Sequence, residues 1–119
     1  MPSETERGVL RDMLPHIDMA ERFAQGRTFE SLRDDLMPLY AVTRCLEIIS
    51  EASRRLSGDL KARHPQVPWR EMAAAGNFYR HNYEDVLPQR IWKTLREDLP
   101  PLRTVIEQEL GNPGRGGPT

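Results

Sequence analysis

The apolar residues of this chain recur every three or four positions along most of its length, and no segment alternates between apolar and polar residues. Such spacing places apolar side chains on one face of a helix, whereas strict alternation is typical of a strand. At 119 residues the chain has room for one domain, and its 38% of apolar residues can supply one modest core. The sequence therefore predicts an all-α fold, an antiparallel bundle of about five helices.

Start and stop residues give approximate bounds for the first three helices. A first helix, over about residues 10–24, contains Pro15, which should kink it or set its true start. A short second helix is expected over about residues 29–36. The third, over about residues 38–57, carries two adjacent apolar stripes and should lie centrally with neighbours on two sides. Gly58 is expected to end it.

The second half of the chain predicts two more helices and a tail. A fourth helix is expected over about residues 69–82, and a fifth after Asp85, which suits an N-cap. The pair Pro100–Pro101 should kink the fifth helix midway. Six of the last nine residues are Gly or Pro. We therefore expect a helical domain over residues 1–110 and a disordered tail over residues 111–119.

Several function classes are excluded by what the sequence lacks. The single cysteine, Cys45, excludes an internal disulfide framework and a cysteine-based zinc site. No apolar run approaches the ~20 residues of a membrane span. There is no Gly-rich phosphate loop, no HExxH and no two-histidine metal spacing, so no cofactor is expected. The N-terminus lacks the basic start and apolar stretch of a secretory signal, which favours a cytoplasmic location.

Charge is distributed unevenly along the chain although the net charge is only −1. Residues 44–80 carry 7 basic and 4 acidic side chains, a local balance of +3. Of the 17 basic residues, 15 are arginine, the residue that makes forked contacts with phosphate and carboxylate. Codon bias in a GC-rich genome is the alternative explanation for this preference.

One histidine has neighbours that suggest chemistry. On a helix, Arg70, Asn77 and His81 fall on one stripe, and Tyr83 follows at the helix end. Histidine is the side chain that exchanges protons near pH 7. The same cluster could equally be a cationic cap at the C-terminus of a helix. His64, which precedes a proline in a predicted loop, is expected to be solvated.

A stripe of charged residues runs along the third predicted helix. Glu47 and Glu51 lie four apart on one face, where like charges repel by a few tenths of a kcal/mol. Arg44, Arg54 and Arg55 can offset that repulsion. The stripe is therefore either a solvated face of ion pairs or the lining of a cleft at a partner or dimer surface.

Four segments, taken in order, resemble the HepT-like toxins of the HEPN superfamily. They are Arg44–Leu56 (RCLEIISEASRRL), His64–Glu71 (HPQVPWRE), His81–Tyr83 (HNY) and Ile91–Leu102 (IWKTLREDLPPL). The similarity covers about residues 8–110. It implies a HEPN-like helical domain that forms a homodimer through a four-helix-bundle interface, and metal-independent cleavage of RNA. It also implies a partner, an MNT-type nucleotidyltransferase antitoxin that adds AMP to a tyrosine of the toxin.

The family motif is an arginine, four residues, a histidine, one residue and a tyrosine. His81 and Tyr83 match it, but Gly76 stands at the arginine position. By resemblance, His81 is the general acid or base on the ribose 2′-hydroxyl, and Tyr83 is the modified tyrosine. Arg80, one turn after Gly76, could place its guanidinium over the position that Gly76 leaves open. It would then supply the charge that stabilises the phosphorane.

The departure at Gly76 leaves alternatives open. The chain is either an active toxin, a degenerate HEPN binding module that only engages the nucleotidyltransferase, or a toxin disarmed by a change at this position. Tyr83 could also simply pack on the core. If the chain is active, two copies of the His81 motif should face a shared cleft with no membrane involved. The predicted lining of that cleft, with RNA as the substrate, is Arg44, Glu47, Glu51, Arg70, Asn77 and Arg80.

Overall fold

The computed structural model describes residues 2–81 and 87–115, with side chains at all of these positions except 78–81 and 112–115. Every regular element of the described residues is helical, which confirms the predicted all-α class. The elements are α1 (Glu4–Ala24), α2 (Phe29–Arg33), α3 (Leu36–Ser53), α4 (Gly58–Arg63), α5 (Trp69–His81), α6 (Leu87–Lys93), a π-helical segment (Thr94–Asp98) and α7 (Leu99–Arg115).

The core lies where α3 meets α1 and α5, with α7 packed against α1 on the far side. The central position of α3 confirms the prediction from its two apolar stripes. Its side chains Val42 and Ile49 are fully buried or nearly so, as are Ile17 of α1 and Ile106 of α7. Burial of apolar surface in these layers is the main stabilising contribution to the fold.

Helix α1 begins earlier than the sequence predicted. Ser3 is its N-cap, and the serine hydroxyl accepts a hydrogen bond from the N–H of Glu6 at 3.0 Å. Pro15 therefore lies in the interior of the helix and does not set its start. The imidazole Nδ1 of His16, in the next position, hydrogen bonds to the carbonyl of Asp12 at 3.0 Å.

A short helix between α3 and α5 was not predicted. Gly58 does not end α3, which stops at Ser53, but is the first residue of α4. The hydroxyl of Ser57 accepts a hydrogen bond from the N–H of Leu60 at 3.1 Å and so caps α4. A glycine can follow a serine N-cap as readily as it can end a helix, and the sequence does not distinguish the two cases.

His64 is buried, which makes the expectation of a solvated histidine wrong. Its Nε2 lies 2.6 Å from a carboxylate oxygen of Glu109 on α7. Arg63 donates to both oxygens of the same carboxylate, at 3.0 and 3.3 Å. The indole N–H of Trp69 donates to the carbonyl of His64 at 2.9 Å. This ionic cluster fastens the loop after α4 to the last helix.

The predicted disturbance near the paired prolines takes the form of a π-helical segment over Thr94–Asp98. The N–H of Leu99 donates to the carbonyl of Thr94, five residues back. Pro100 and Pro101 lack N–H groups and cannot donate hydrogen bonds to the carbonyls one turn earlier, and the interruption falls just before them.

Two predictions concern residues that the structure does not describe or describes only in part. The proposed N-cap, Asp85, lies outside the described residues. The division into a domain over residues 1–110 and a disordered tail over 111–119 stays a prediction, since α7 is described to Arg115 and residues 116–119 are not described. Among the described residues, no helix is both long and apolar enough to cross a membrane.

Candidate functional site

The side chain of Ser50 joins α3 to α5. Its hydroxyl accepts a hydrogen bond from the N–H of Gly76 at 3.1 Å and donates one to the carbonyl of Ala73 at 3.2 Å. Ser50 is 2% exposed, and Gly76 is buried. A Cβ at residue 76 would lie 2.9 Å from the serine oxygen. The lack of a side chain at Gly76 therefore allows this close approach without a shift of the serine or of a helix.

A second contact, made by the residue that follows α3, fixes the relative direction of the two helices. The Nε and Nη2 of Arg54 donate to the carbonyl of Ala73 at 3.0 and 2.8 Å. Ser50 thus meets Gly76, and Arg54, four residues later, meets a residue three positions earlier on α5. The helices are therefore antiparallel.

The α3–α5 pair has one side in the core and one side in solvent. On the core side, α3 presents Leu46 and Ile49 and α5 presents Met72 and Ala75, all of them buried. Helical rotation places a set of polar residues on the opposite side of both helices. We call this side the polar face; its described residues are Arg44, Glu47 and Glu51 on α3, Arg54 and Arg55 directly after α3, and Arg70 and Asn77 on α5.

The α3 half of the polar face contains one ion pair. Nη1 of Arg44 lies 3.3 Å from Oε1 of Glu47, and the two side chains are 72% and 19% exposed. Glu51, one turn further along, is exposed. The stripe is thus partly an ion-paired face, and it is also one half of a surface that α3 shares with α5.

The α5 half carries the residues that the sequence singled out for chemistry. Helix α5 is continuous from Trp69 to His81, so positions 70, 77 and 81 succeed one another along the same side of the helix. Arg70 and Asn77 are exposed there. The side chains of Arg80 and His81 and the whole of Tyr83 lie outside the described residues, so their roles stay predictions.

The antiparallel arrangement also sets distances along the polar face. Extending the contacts of Ser50 and Arg54 toward the start of α3 places Glu47, about one turn before Ser50, and Arg44, nearly two turns before it, beside the last turn of α5, at the His81 end. Arg70 lies at the other end, because eleven residues of helix separate it from His81, about 16 Å along the axis. Arg70 and His81 therefore mark opposite ends of α5 along the polar face.

The position beside Gly76 is not open. The space that a side chain would take there is occupied by the Ser50 hydroxyl, whereas the sequence-based hypothesis assumed room for the guanidinium of Arg80. Residue 76 faces α3 and is turned away from the stripe that continues to His81. A guanidinium from Arg80 would have to reach the polar face by another route than over Gly76.

The sequence analysis did not predict a role for Ser50. It named Arg54 only as a charge that can offset the repulsion between Glu47 and Glu51. A glycine inside a predicted helix commonly has a packing reason. The partner of Gly76, Ser50, could not be predicted, because a single serine among the apolar residues of α3 does not indicate which residue it contacts. The Ser50–Gly76 contact required the mutual placement of the two helices.

Comparisons with known proteins show which family the chain resembles. A family model described as "Ribonuclease HepT-like" matches residues 13–109. A protein of Thermococcus cleftensis named "Probable ribonuclease HepT" is 38% identical over 104 residues, which cover 87% of this chain and 94% of that protein. A protein of Methanocaldococcus jannaschii named "Putative RNase MJ1380" is 32% identical over 107 residues, 90% of this chain and 98% of the relative. The search of solved structures found no match.

The helical bundle and the family match thus define a protein of the HEPN superfamily. Within that superfamily, the chain belongs to the HepT-like ribonuclease family. The resemblance inferred from four sequence segments is confirmed by the family model, which spans most of the chain.

Proposed function

We propose that this chain is the ribonuclease toxin of a toxin–antitoxin pair, with His81 as its proton-transfer group. The observation that carries the proposal is the polar face itself. It gathers Asn77, Arg70 and the Arg44–Glu47 pair along one solvent-exposed side of α3 and α5, at whose end α5 reaches His81. The family supports an RNase-type role, and the arginines supply contacts for the phosphates of RNA.

The proposed reaction is an internal transfer at phosphorus. The imidazole of His81 accepts the proton of a ribose 2′-hydroxyl, the 2′-oxygen bonds to phosphorus, and the bond to the 5′-oxygen breaks. The leaving oxygen takes a proton from the imidazolium of a second copy in a homodimer, with two His81 motifs facing one cleft. A guanidinium from Arg80 would stabilise the charge on the phosphorane, a contribution often worth about 10²–10³ in rate. No metal ion takes part.

The proposal is tested by incubating the purified full chain with RNA in EDTA. We expect cleavage by the unaltered protein and none by His81→Ala, while His16→Ala, a matched histidine on α1, retains full activity. Arg80→Ala should lower the rate by about 10²-fold. Cleavage that survives His81→Ala, or an unaltered protein that cleaves only with added metal, would overturn the proposed mechanism.

A second function is favoured by one specific observation, the occupation of the motif arginine position by a buried glycine. In this alternative the chain is a binding module that engages the nucleotidyltransferase without cleaving RNA. Growth arrest on expression distinguishes the two functions. Arrest that His81→Ala relieves supports the ribonuclease, whereas a chain that binds the nucleotidyltransferase but neither arrests growth nor cleaves RNA supports the binding module.

A further inference from the structure

One arginine on the polar face is held in place by the main chain and not by an acid. Arg54 directs Nε and Nη2 at the carbonyl of Ala73, at 3.0 and 2.8 Å. No carboxylate of the described residues forms an ion pair with it. A guanidinium docked on a neutral carbonyl keeps its full charge, and its remaining N–H groups can donate to a ligand.

Two further arginines lie at the same end of the polar face. Arg55 follows Arg54 in the turn after α3, and Arg70 lies in the first turn of α5, three residues before Ala73. Both are exposed, and neither pairs with a carboxylate among the described residues. Six other arginines of the described residues do form ion pairs with carboxylates, namely Arg11, Arg27, Arg33, Arg44, Arg63 and Arg103.

The position of this cationic end relative to His81 limits what it can bind. From Ala73 to His81 is eight residues of helix, about 12 Å. A phosphate at the Arg54 end can therefore be a different one from the phosphate that reacts at His81. A strand with several phosphates, laid along the polar face, could meet both ends at once. Glu51 lies between the two ends and would oppose the strand.

We propose that Arg54, Arg55 and Arg70 form a phosphate-binding subsite for single-stranded RNA, separate from the reacting phosphate, which makes efficient cleavage depend on strand length. The proposal rests on the function proposed above and goes beyond it by locating where the rest of the substrate binds. Arginine suits the role because its planar fork matches two phosphate oxygens at once.

Binding can be measured without cleavage. The probe is a fluorescent 2′-O-methyl RNA oligonucleotide, whose blocked 2′-oxygen cannot attack phosphorus, titrated with the full chain at several salt concentrations. The triple variant Arg54→Gln, Arg55→Gln, Arg70→Gln should bind on the order of tenfold more weakly at low salt. Its plot of log affinity against log salt should be shallower by about 2, at ~0.7 for each lost phosphate contact. The control variant Arg11→Gln, Arg22→Gln, Arg96→Gln changes the net charge equally on other surfaces and should keep the original slope.

Cleavage of substrates of two lengths separates a binding role from a structural one. With a long oligonucleotide, the triple variant should show a KM raised on the order of tenfold and an unchanged kcat. With a dinucleoside phosphate, which has only the reacting phosphate, it should match the unaltered protein. Arg55→Gln with Arg70→Gln leaves the Arg54–Ala73 contact intact and should show a smaller shift of the same kind. Glu51→Gln should bind the long strand more tightly.

The outcomes distinguish this inference from the function on which it rests. An unaltered chain that binds no RNA overturns both. An unaltered chain that binds and cleaves RNA, with a triple variant indistinguishable from the control variant, overturns only the subsite. A triple variant that loses activity equally on the dinucleoside and the long strand also overturns it, since the loss would then be structural.

Discussion

Gly76 shows how a single residue can depart from a family motif for a reason of packing. The N–H of Gly76 donates to the Ser50 hydroxyl, and that hydroxyl also donates to Ala73, so both hydrogen bonds depend on the serine keeping its place. A side chain at residue 76 would displace the serine and break them. The glycine is therefore suited to this α3–α5 contact, whether or not it costs catalytic power.

A substitution at this position should destabilise the protein. We expect Gly76→Arg to lower the free energy of unfolding by about 1–3 kcal/mol, because the added side chain overpacks a buried contact. The double variant Ser50→Gly, Gly76→Arg should recover part of that loss, since it removes the serine oxygen that lies 2.9 Å from the new Cβ. Urea unfolding of the single and double variants measures the coupling; additive losses would contradict the packing explanation.

The carboxylate of Glu109 should make stability depend on acid pH. Burial alone would raise its pKa, but hydrogen bonds from Arg63 and His64 outweigh burial, and the pKa of Glu109 is lowered from its usual 4.5. The unfolded chain then binds this proton more readily. Stability from the ionised group is present above about pH 4.5 and is lost as the pH falls through the lowered pKa.

Urea unfolding from pH 6 down to pH 3 should show a steeper decline in the free energy of unfolding for the unaltered chain than for Glu109→Gln. The control Glu30→Gln, on exposed α2, should leave the decline unchanged, and equal slopes for all three would refute the assignment.

Asp98 should act with the opposite sign. Burial raises its pKa, Glu71 and Glu97 add to the rise, and Lys93 and Arg90 reduce it. The folded chain therefore favours the neutral acid, and ionisation at neutral pH costs stability. We expect Asp98→Asn to raise the free energy of unfolding at pH 7, with a gain that shrinks as the pH falls through the raised pKa toward the usual 3.8. A variant less stable than the unaltered chain at pH 7 would mean that the contact with Lys93, at 3.7 Å, outweighs burial.

At the scale of elements, the sequence predicted the helices that are long enough to show a regular apolar period. The central helix was expected over residues 38–57 and is observed as Leu36–Ser53, because its apolar spacing is long and regular. Helix α4 was missed, since six residues are too few for a period to emerge. His64 was misjudged because its burial depends on Glu109, 45 positions away, and local sequence does not report such a partner.

The missed helix can be tested by its cap. Ser57→Ala removes the hydroxyl that accepts from Leu60, and we expect a loss of about 1 kcal/mol in the free energy of unfolding. Ser57→Asn should retain most of the stability, because asparagine caps helices equally well. The N–H of Ser57 donates to Glu6 at 2.5 Å and is present in both variants, so thermal unfolding of the pair isolates the cap. Equal losses in the two variants would assign the effect to packing.

The candidate site was predictable only in part, because some of its residues are brought together by contacts between helices that are far apart in the sequence. The stripe of Arg70, Asn77 and His81 follows from helical spacing within one element, and so does the charged stripe of α3. That both stripes lie on one side of the α3–α5 pair depends on the antiparallel contacts of Ser50 and Arg54. No spacing within either helix contains that information.

At the scale of the whole molecule, the charge distribution explains how a chain of net charge −1 could attract RNA. The local excess of +3 over residues 44–80 falls largely on α3, α4 and α5, and three arginines of the polar face have no acidic partner among the described residues. Counterion release from RNA depends on local phosphate contacts and not on net charge. A modification that adds negative charge beside this face should therefore oppose RNA binding.

The proposed antitoxin would add such a charge at Tyr83, two residues beyond the end of α5. In this step the phenol oxygen attacks the α-phosphorus of ATP, a tyrosyl–AMP phosphodiester forms, and pyrophosphate leaves. We expect coexpression with an MNT-type nucleotidyltransferase to raise the intact mass by whole AMP units in the unaltered chain and not in Tyr83→Phe. Tyr40→Phe, which alters an exposed tyrosine on α3, is the matched control and should still be modified.

The modified chain should bind the 2′-O-methyl RNA more weakly than the unmodified chain, most clearly at low salt, because each AMP unit adds a negative phosphate two residues after His81 in the sequence. If the nucleotidyltransferase is active and the mass does not change, Tyr83 is not its substrate. If the mass rises and RNA binding stays the same, modification must act on the chemistry or on assembly of the dimer. The charge-based account of neutralisation would then be wrong, while the site of modification would stand.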